Sequence, residues 1–72
     1  MSIWSKDYKA FMAKLKKARL DAGLRQEDVA KRLGRPQAYV SRCESGEKKI
    51  DAMELKEFAK LYKKPTSYFL GK

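Results

Sequence analysis

The side chains with the most informative chemistry lie between positions 37 and 45 of this 72-residue sequence. If the segment is a helix, with about 100° of rotation per residue, five small, polar or cationic side chains share a face about 140° wide. They are Gln37, Ala38, Ser41, Arg42 and Ser45. Glutamine can pair bidentately with adenine and arginine with guanine, while alanine can contact a thymine methyl group. The face therefore has the chemistry needed to read base edges, and it lacks the Lys and Glu that usually fill a merely solvated face.

The other side of the same segment is suited to a protein core. Val40, Cys43 and Glu44 fall together there, with Tyr39 beside them. We expect Cys43 to be a buried small apolar residue, because free cysteine behaves as a small hydrophobe in such positions. A helix with one apolar and one polar side needs a scaffold that holds it, and the rest of the chain must supply that scaffold.

The apolar periodicity and the cap residues predict an all-α fold in which five helices fill one domain, residues 1–72. Helices are predicted over residues 5–22, 26–33, 36–45, 51–63 and 66–70. Pro36 suits the first position of the third helix, because its missing N–H would be unpaired there. Asp51 and Glu54 form a capping box for the fourth helix. Only Gly34 and Arg35 separate the second and third helices, which predicts the sharp turn of a helix-turn-helix.

The run from Leu15 to Gly46 closely resembles the Cro/CI-type (XRE-like) helix-turn-helix domains of bacterial and phage transcriptional regulators. The matching elements are Ala18-Arg19, Gly23-Leu24, Gln26-Glu27, Leu33-Gly34, Val40-Ser41-Arg42 and Glu44-x-Gly46, with looser similarity up to Leu70. The resemblance implies a compact four-to-five-helix, lambda-repressor-like DNA-binding domain. It also implies a regulator of transcription, acting as a repressor, whose third helix reads the major groove of double-stranded DNA. An antitoxin that binds both DNA and a protein partner is the alternative function.

The resemblance also implies roles for single residues. Gln26 would clamp a DNA phosphate and brace the start of the recognition helix. The positions that match base contacts are Gln37, Ala38 and Arg42. The positions that match phosphate contacts are Tyr39, Ser41, Lys48 and Lys49. Arg25 stands where relatives often have a Ser or Thr cap, and it can reach a phosphate instead. Arg19 and Glu44 match a structural salt bridge between the first and third helices.

Composition is consistent with a nucleic-acid partner and argues against catalysis. Eighteen Lys and Arg against nine Asp and Glu give a net charge of +9, which favours a polyanion. Charge alone leaves anionic membranes and acidic proteins open as partners. With no His and one Cys, the chain offers no metal site, no intrachain disulfide and no acid–base pair for an enzyme. We therefore expect no cofactor, and a location in the cytoplasm.

Further hypotheses concern partners. A membrane-active first helix, with Trp4 and its lysines, is less favoured than mutual packing of the helices, and Trp4 is assigned to terminal or core packing. RNA is less favoured than DNA, because a helix fits the major groove of B-form but not of A-form duplexes. Relatives dimerise on palindromic operators, and a homodimer is expected on DNA. Residues 68–70 are the candidate dimer surface, with internal packing of all three side chains as the alternative.

Overall fold

The computed structural model describes residues 5–71, and this part of the chain is a bundle of five helices without a strand. The helices are α1 (Lys6–Asp21), α2 (Gln26–Leu33), α3 (Gln37–Ser45), α4 (Ala52–Tyr62) and α5 (Thr66–Leu70). Every predicted helix is present, and no end differs from its prediction by more than one residue. The all-α fold class is confirmed. The predicted packing role of Trp4 lies outside the described residues.

The helix starts follow the local cap chemistry. The Ser5 hydroxyl accepts the backbone N–H of Tyr8 at 3.0 Å at the start of α1. At the start of α4, Asp51 accepts the N–H of Glu54 at 2.8 Å and Glu54 accepts the N–H of Asp51 at 3.0 Å, which completes the predicted capping box. These bonds satisfy N–H groups that have no partner within a helix.

The start of α3 corrects one prediction. Pro36 has φ −65° and ψ 154°, so it is extended and precedes the helix, whose first residue is Gln37. Proline fixes φ but leaves ψ open, and a φ near −65° is compatible with both the helical and the extended conformation. The sequence could therefore not decide between the first helical position and the position before it. The connection between α2 and α3 therefore has three residues, Gly34 to Pro36, and not the two that were predicted.

The core receives side chains from each of the five helices. Leu15, Val29, Val40, Cys43 and Phe58 are fully buried, with 0% of their surface exposed. The prediction that Cys43 is a buried core residue is confirmed. Large apolar residues of this kind contribute about 1.5–3 kcal/mol each on burial. The core therefore fixes α3 through its apolar side and leaves its other side to solvent.

Candidate nucleic-acid interface

The outward side of α3 is the polar face that the sequence predicted. Its five side chains are all exposed: Gln37, Ala38, Ser41, Arg42 and Ser45. Within residues 5–71 no other side chain forms a hydrogen bond or an ion pair with the side chains of Gln37, Ser41 or Arg42. Their hydrogen-bonding groups are therefore free to meet a partner outside the protein.

One buried carboxylate ties three helices together behind this face. Glu44 of α3 accepts from Arg19 of α1 in a two-pronged arrangement, with Nε to Oε2 at 2.7 Å and Nη2 to Oε1 at 3.1 Å. The two side chains are only 9% and 6% exposed. Arg19 also donates to the carbonyl of Leu24 at 3.0 Å, in the loop before α2. The salt bridge implied by the family resemblance is thus present in the structure, and it sets the position of α3 relative to α1.

Gln26, at the start of α2, belongs to the same cluster. Its Nε2 donates to Oε1 of Glu44 at 3.1 Å. Because a carboxylate only accepts, the amide nitrogen must face Glu44, and one N–H remains for a phosphate. The resemblance implied a brace at the start of α3, whereas the structure places this bond near the end of that helix. The phosphate clamp itself stays a prediction.

A second carboxylate, on α4, accepts hydrogen bonds from a residue of α3 and from the loop that follows α3. Glu54 of α4 accepts the Tyr39 hydroxyl at 2.8 Å, the Lys48 ammonium at 2.8 Å and 3.0 Å, and the Asp51 N–H at 3.0 Å. Burial opposes ionisation of Glu54, but these donors outweigh it and lower its pKa to about 2. Burial and the bond to Glu54 raise the pKa of Tyr39. At neutral pH the pair is therefore a carboxylate and a neutral phenol that donates to it.

Tyr39 and Lys48 thus already have protein partners, although the resemblance implied phosphate contacts for both. The Tyr39 ring also lies parallel to that of Phe58, with 6.2 Å between the centroids. Glu54 was predicted only as a helix cap, from its position three residues after Asp51. A capping box is a local signal, and it does not show which distant side chains share the carboxylate.

Three further positions with a predicted phosphate contact are exposed, and they are Ser41 on the outward face of α3, Lys49 in the loop after α3 and Arg25 before α2. Lys49 is exposed, and within residues 5–71 its side chain forms no ion pair. Arg25 is 74% exposed, with its guanidinium 3.2 Å from Asp28 and 3.3 Å from Glu27. Exposed pairs of this kind are weak and exchange readily with other anions. Both cations are therefore available to a DNA backbone.

Sequence reasoning missed one cation beside α3. From the sequence Arg35 is only part of the turn, but in the structure its guanidinium carbon lies 4.5 Å from the centroid of the Tyr39 ring. An arginine four residues before a tyrosine could have signalled this contact, had the turn geometry been known. One cation that was not among the predicted site residues therefore lies against a side chain of α3.

Membrane spans and metal clusters are two other kinds of site that a small basic domain could carry. None of the five helices is long and apolar enough to cross a membrane. In the part of the chain that the structure describes, no group of three or more His, Cys, Asp and Glu residues could hold a metal ion.

Comparison with known protein families gives a match over most of the chain. A family model described as a helix-turn-helix domain matches residues 10–66. The matched range begins within α1, ends at the first residue of α5, and contains all of α2, α3 and α4. No curated protein and no solved structure matches the chain significantly.

Proposed function

The chain belongs to the helix-turn-helix domain family of the XRE/Cro-like type, and from this premise we propose that it is a sequence-specific repressor of transcription. DNA is the partner of such domains. The observation that carries the proposal is the two-sided character of α3. Val40 and Cys43 are fully buried, while every side chain of the outward face is exposed.

In this proposal the outward face of α3 enters the major groove and discriminates sequence. Gln37 and Arg42 supply the hydrogen bonds to base edges, each worth about 1–3 kcal/mol when bidentate. Ala38 and Ser41 are small enough for a close approach to the groove floor. The buried bonds of Glu44 and the core contacts of Val40 keep the helix rigid, so that little order has to be imposed on binding.

Phosphate contacts set the position of the domain on the duplex. Lys49 and Arg25 are exposed cations on either side of α3 in the chain, and Gln26 has one amide N–H free. Such contacts fix register and supply a large share of the affinity without reading sequence. Repression then follows from occupancy, because a bound operator is closed to other proteins.

Nuclear magnetic resonance tests the placement of this interface. A short duplex is titrated into the ¹⁵N-labelled protein, and the amide shifts are followed. We expect the largest changes at residues 37–45, with smaller ones at 25–26 and 48–49. Changes concentrated on the lysine-rich side of α1 would contradict the proposal, since they would place the duplex on another surface.

A homodimer on a palindromic operator is the second part of the proposal, and the three candidate residues of its surface differ in how exposed they are. Of the three candidate residues, Phe69 is 2% exposed and meets Phe11 edge-on with ring centroids 6.4 Å apart. Tyr68 is partly buried, with the Lys64 ammonium 4.7 Å from its ring centroid. The prediction was therefore wrong for Phe69, which packs internally. Leu70 is 58% exposed, beside a largely apolar groove of about 430 Å³.

Substituting Leu70 with glutamate is expected to weaken self-association at least about tenfold, because burial of a leucine contributes about 1.5–3 kcal/mol. Sedimentation equilibrium measures this change. Met53→Glu is the matched control, since Met53 is 67% exposed on α4 and does not line the groove. A parent protein that stays monomeric both free and on DNA would eliminate the dimer. Equal effects of the two variants would move the interface away from Leu70.

A further inference from the structure

The backbone of Arg35 is fixed by the turn that precedes α3. Gly34 has φ 68°, and this left-handed residue lets the N–H of Arg35 donate to the carbonyl of Ala30 at 2.9 Å. Pro36 follows with φ −65°. Glycine adopts the left-handed conformation without the penalty that a Cβ would add. The direction in which the Arg35 side chain leaves the turn is therefore set before any ligand arrives.

The Arg35 side chain is held by an aromatic platform. Its guanidinium carbon lies 4.5 Å from the centroid of the Tyr39 ring. That ring is itself immobilised, by its hydroxyl bond to Glu54 at 2.8 Å and by its parallel contact with Phe58. A guanidinium stacked on a ring keeps its N–H donors at its edge, where they can meet an anion. One side of the Arg35 guanidinium therefore contacts the Tyr39 ring, and the rest of the group is accessible to an anion.

The counter-ion of Arg35 in the free protein is loosely placed. Nη2 of Arg35 lies 3.9 Å from Oε1 of Glu57, which is too long for a hydrogen bond, and the two side chains are 41% and 51% exposed. Lys48 lies 5.6 Å from the same ring centroid, but its charge is matched by Glu54 at 2.8 Å. Of the two cations beside Tyr39, Arg35 is the one that can exchange its partner.

The position of Arg35 favours a phosphate rather than a base. It precedes Gln37, the first residue of α3, by two positions. Its guanidinium is stacked on Tyr39, which lies beside the core-facing residues and not on the outward face. The sugar-phosphate strand lines the edge of the groove that α3 enters, and Arg binds phosphate in a bidentate geometry.

We infer that Arg35 is a phosphate-binding residue of the DNA interface, which exchanges Glu57 for a backbone phosphate when α3 enters the groove. The inference rests on the proposed function, because it requires α3 to bind duplex DNA. It also gives Tyr39 a role that differs from the phosphate contact implied by the resemblance. Tyr39 is a positioning residue that holds the arginine.

The test is a double-mutant cycle of Arg35→Gln and Glu57→Gln, with affinity for a 20-base-pair duplex measured by fluorescence anisotropy at several salt concentrations. Arg35→Gln is expected to weaken binding roughly 3- to 10-fold and to lower the slope of log affinity against log salt by about 0.9. Glu57→Gln is expected to strengthen binding roughly 2- to 5-fold, because the arginine no longer has a competing partner. In the Arg35→Gln background the gain from Glu57→Gln should largely disappear.

Control variants separate a local contact from net charge. Lys9→Gln removes one positive charge from an exposed position of α1 and should weaken binding less than Arg35→Gln. Tyr39→Phe keeps the ring and should preserve most of the Arg35 contribution, whereas Tyr39→Leu should abolish it. Thermal unfolding of each variant shows that the folded protein is being compared.

The outcomes distinguish this inference from the function on which it rests. If the parent protein binds no duplex, the proposed function fails and the inference fails with it. If the parent binds, but Arg35→Gln behaves like Lys9→Gln, only the inference is overturned. The inference is also overturned if Glu57→Gln strengthens binding equally with and without Arg35. A loss confined to the preferred sequence would overturn it too, because it would make Arg35 a base contact.

Discussion

Replacing Glu44 with alanine is expected to lower the free energy of unfolding by about 3–5 kcal/mol. The substitution leaves the Arg19 guanidinium in a site where its side chain is 9% exposed, with the Leu24 carbonyl as its one remaining hydrogen-bond partner in the described structure. Gln26 loses its acceptor at the same time. A domain of this size has only about 5–10 kcal/mol of stability, so the loss is a large part of the total. Urea unfolding followed by circular dichroism measures it.

The matched control replaces both charged partners with apolar residues. Arg19→Met combined with Glu44→Leu removes the buried charge together with its partner, and we expect it to be more stable than Glu44→Ala alone. The physical reason is that an unpaired buried charge is worse than no charge. If Glu44→Ala lost less than about 1 kcal/mol, or the double variant lost more than the single one, the carboxylate would not be the anchor of α3.

Arg42→Ala is expected to reduce discrimination between the preferred and a scrambled duplex by about 1–3 kcal/mol, which is about 5- to 150-fold. Arg42 is exposed on α3, and no other side chain among residues 5–71 pairs with its guanidinium. A bidentate pair with guanine would therefore be lost without compensation from the protein. Competition titrations of the two duplexes measure the ratio.

Lys49→Ala is the matched contrast for Arg42→Ala. Both variants remove one positive charge, but Lys49 lies in the loop after α3 and is assigned to a phosphate. Lys49→Ala should weaken binding to all duplexes alike and lower the slope of log affinity against log salt by about one unit. The role assignment would be wrong if the two variants lost affinity in the same proportion on preferred and scrambled DNA.

Much of the fold could be predicted from the sequence because its signals are local. The spacing of apolar residues together with the glycine, proline and cap residues placed the five helices, and the Asp51–Glu54 pair identified the start of α4. The two-sided character of α3 was visible in its nine residues. At about 100° of rotation per residue, Val40 and Cys43 fall on one side of the helix, and Ser41 and Arg42 fall on the other. The proline before α3 was ambiguous, because its ring restricts φ and leaves ψ to the tertiary structure.

The rest of the site depends on contacts between distant residues, which local patterns do not show. The bond from Tyr39 to Glu54 joins α3 to α4, and the bond from Gln26 to Glu44 joins α2 to α3. The burial of Phe69 could not be predicted either. α5 has only five residues, too few turns for a period to show which side faces the core.

The most direct test of the central claim is selection of duplexes from a random pool, followed by titration of the selected duplex against a scrambled one at two salt concentrations. We predict an enriched palindrome that binds at least about 10³-fold tighter than the scrambled duplex and keeps that preference at the higher salt concentration. Binding that is weak, equal for the two duplexes and abolished by salt would contradict the claim. Such a result would reduce the interaction with DNA to the net charge of the chain.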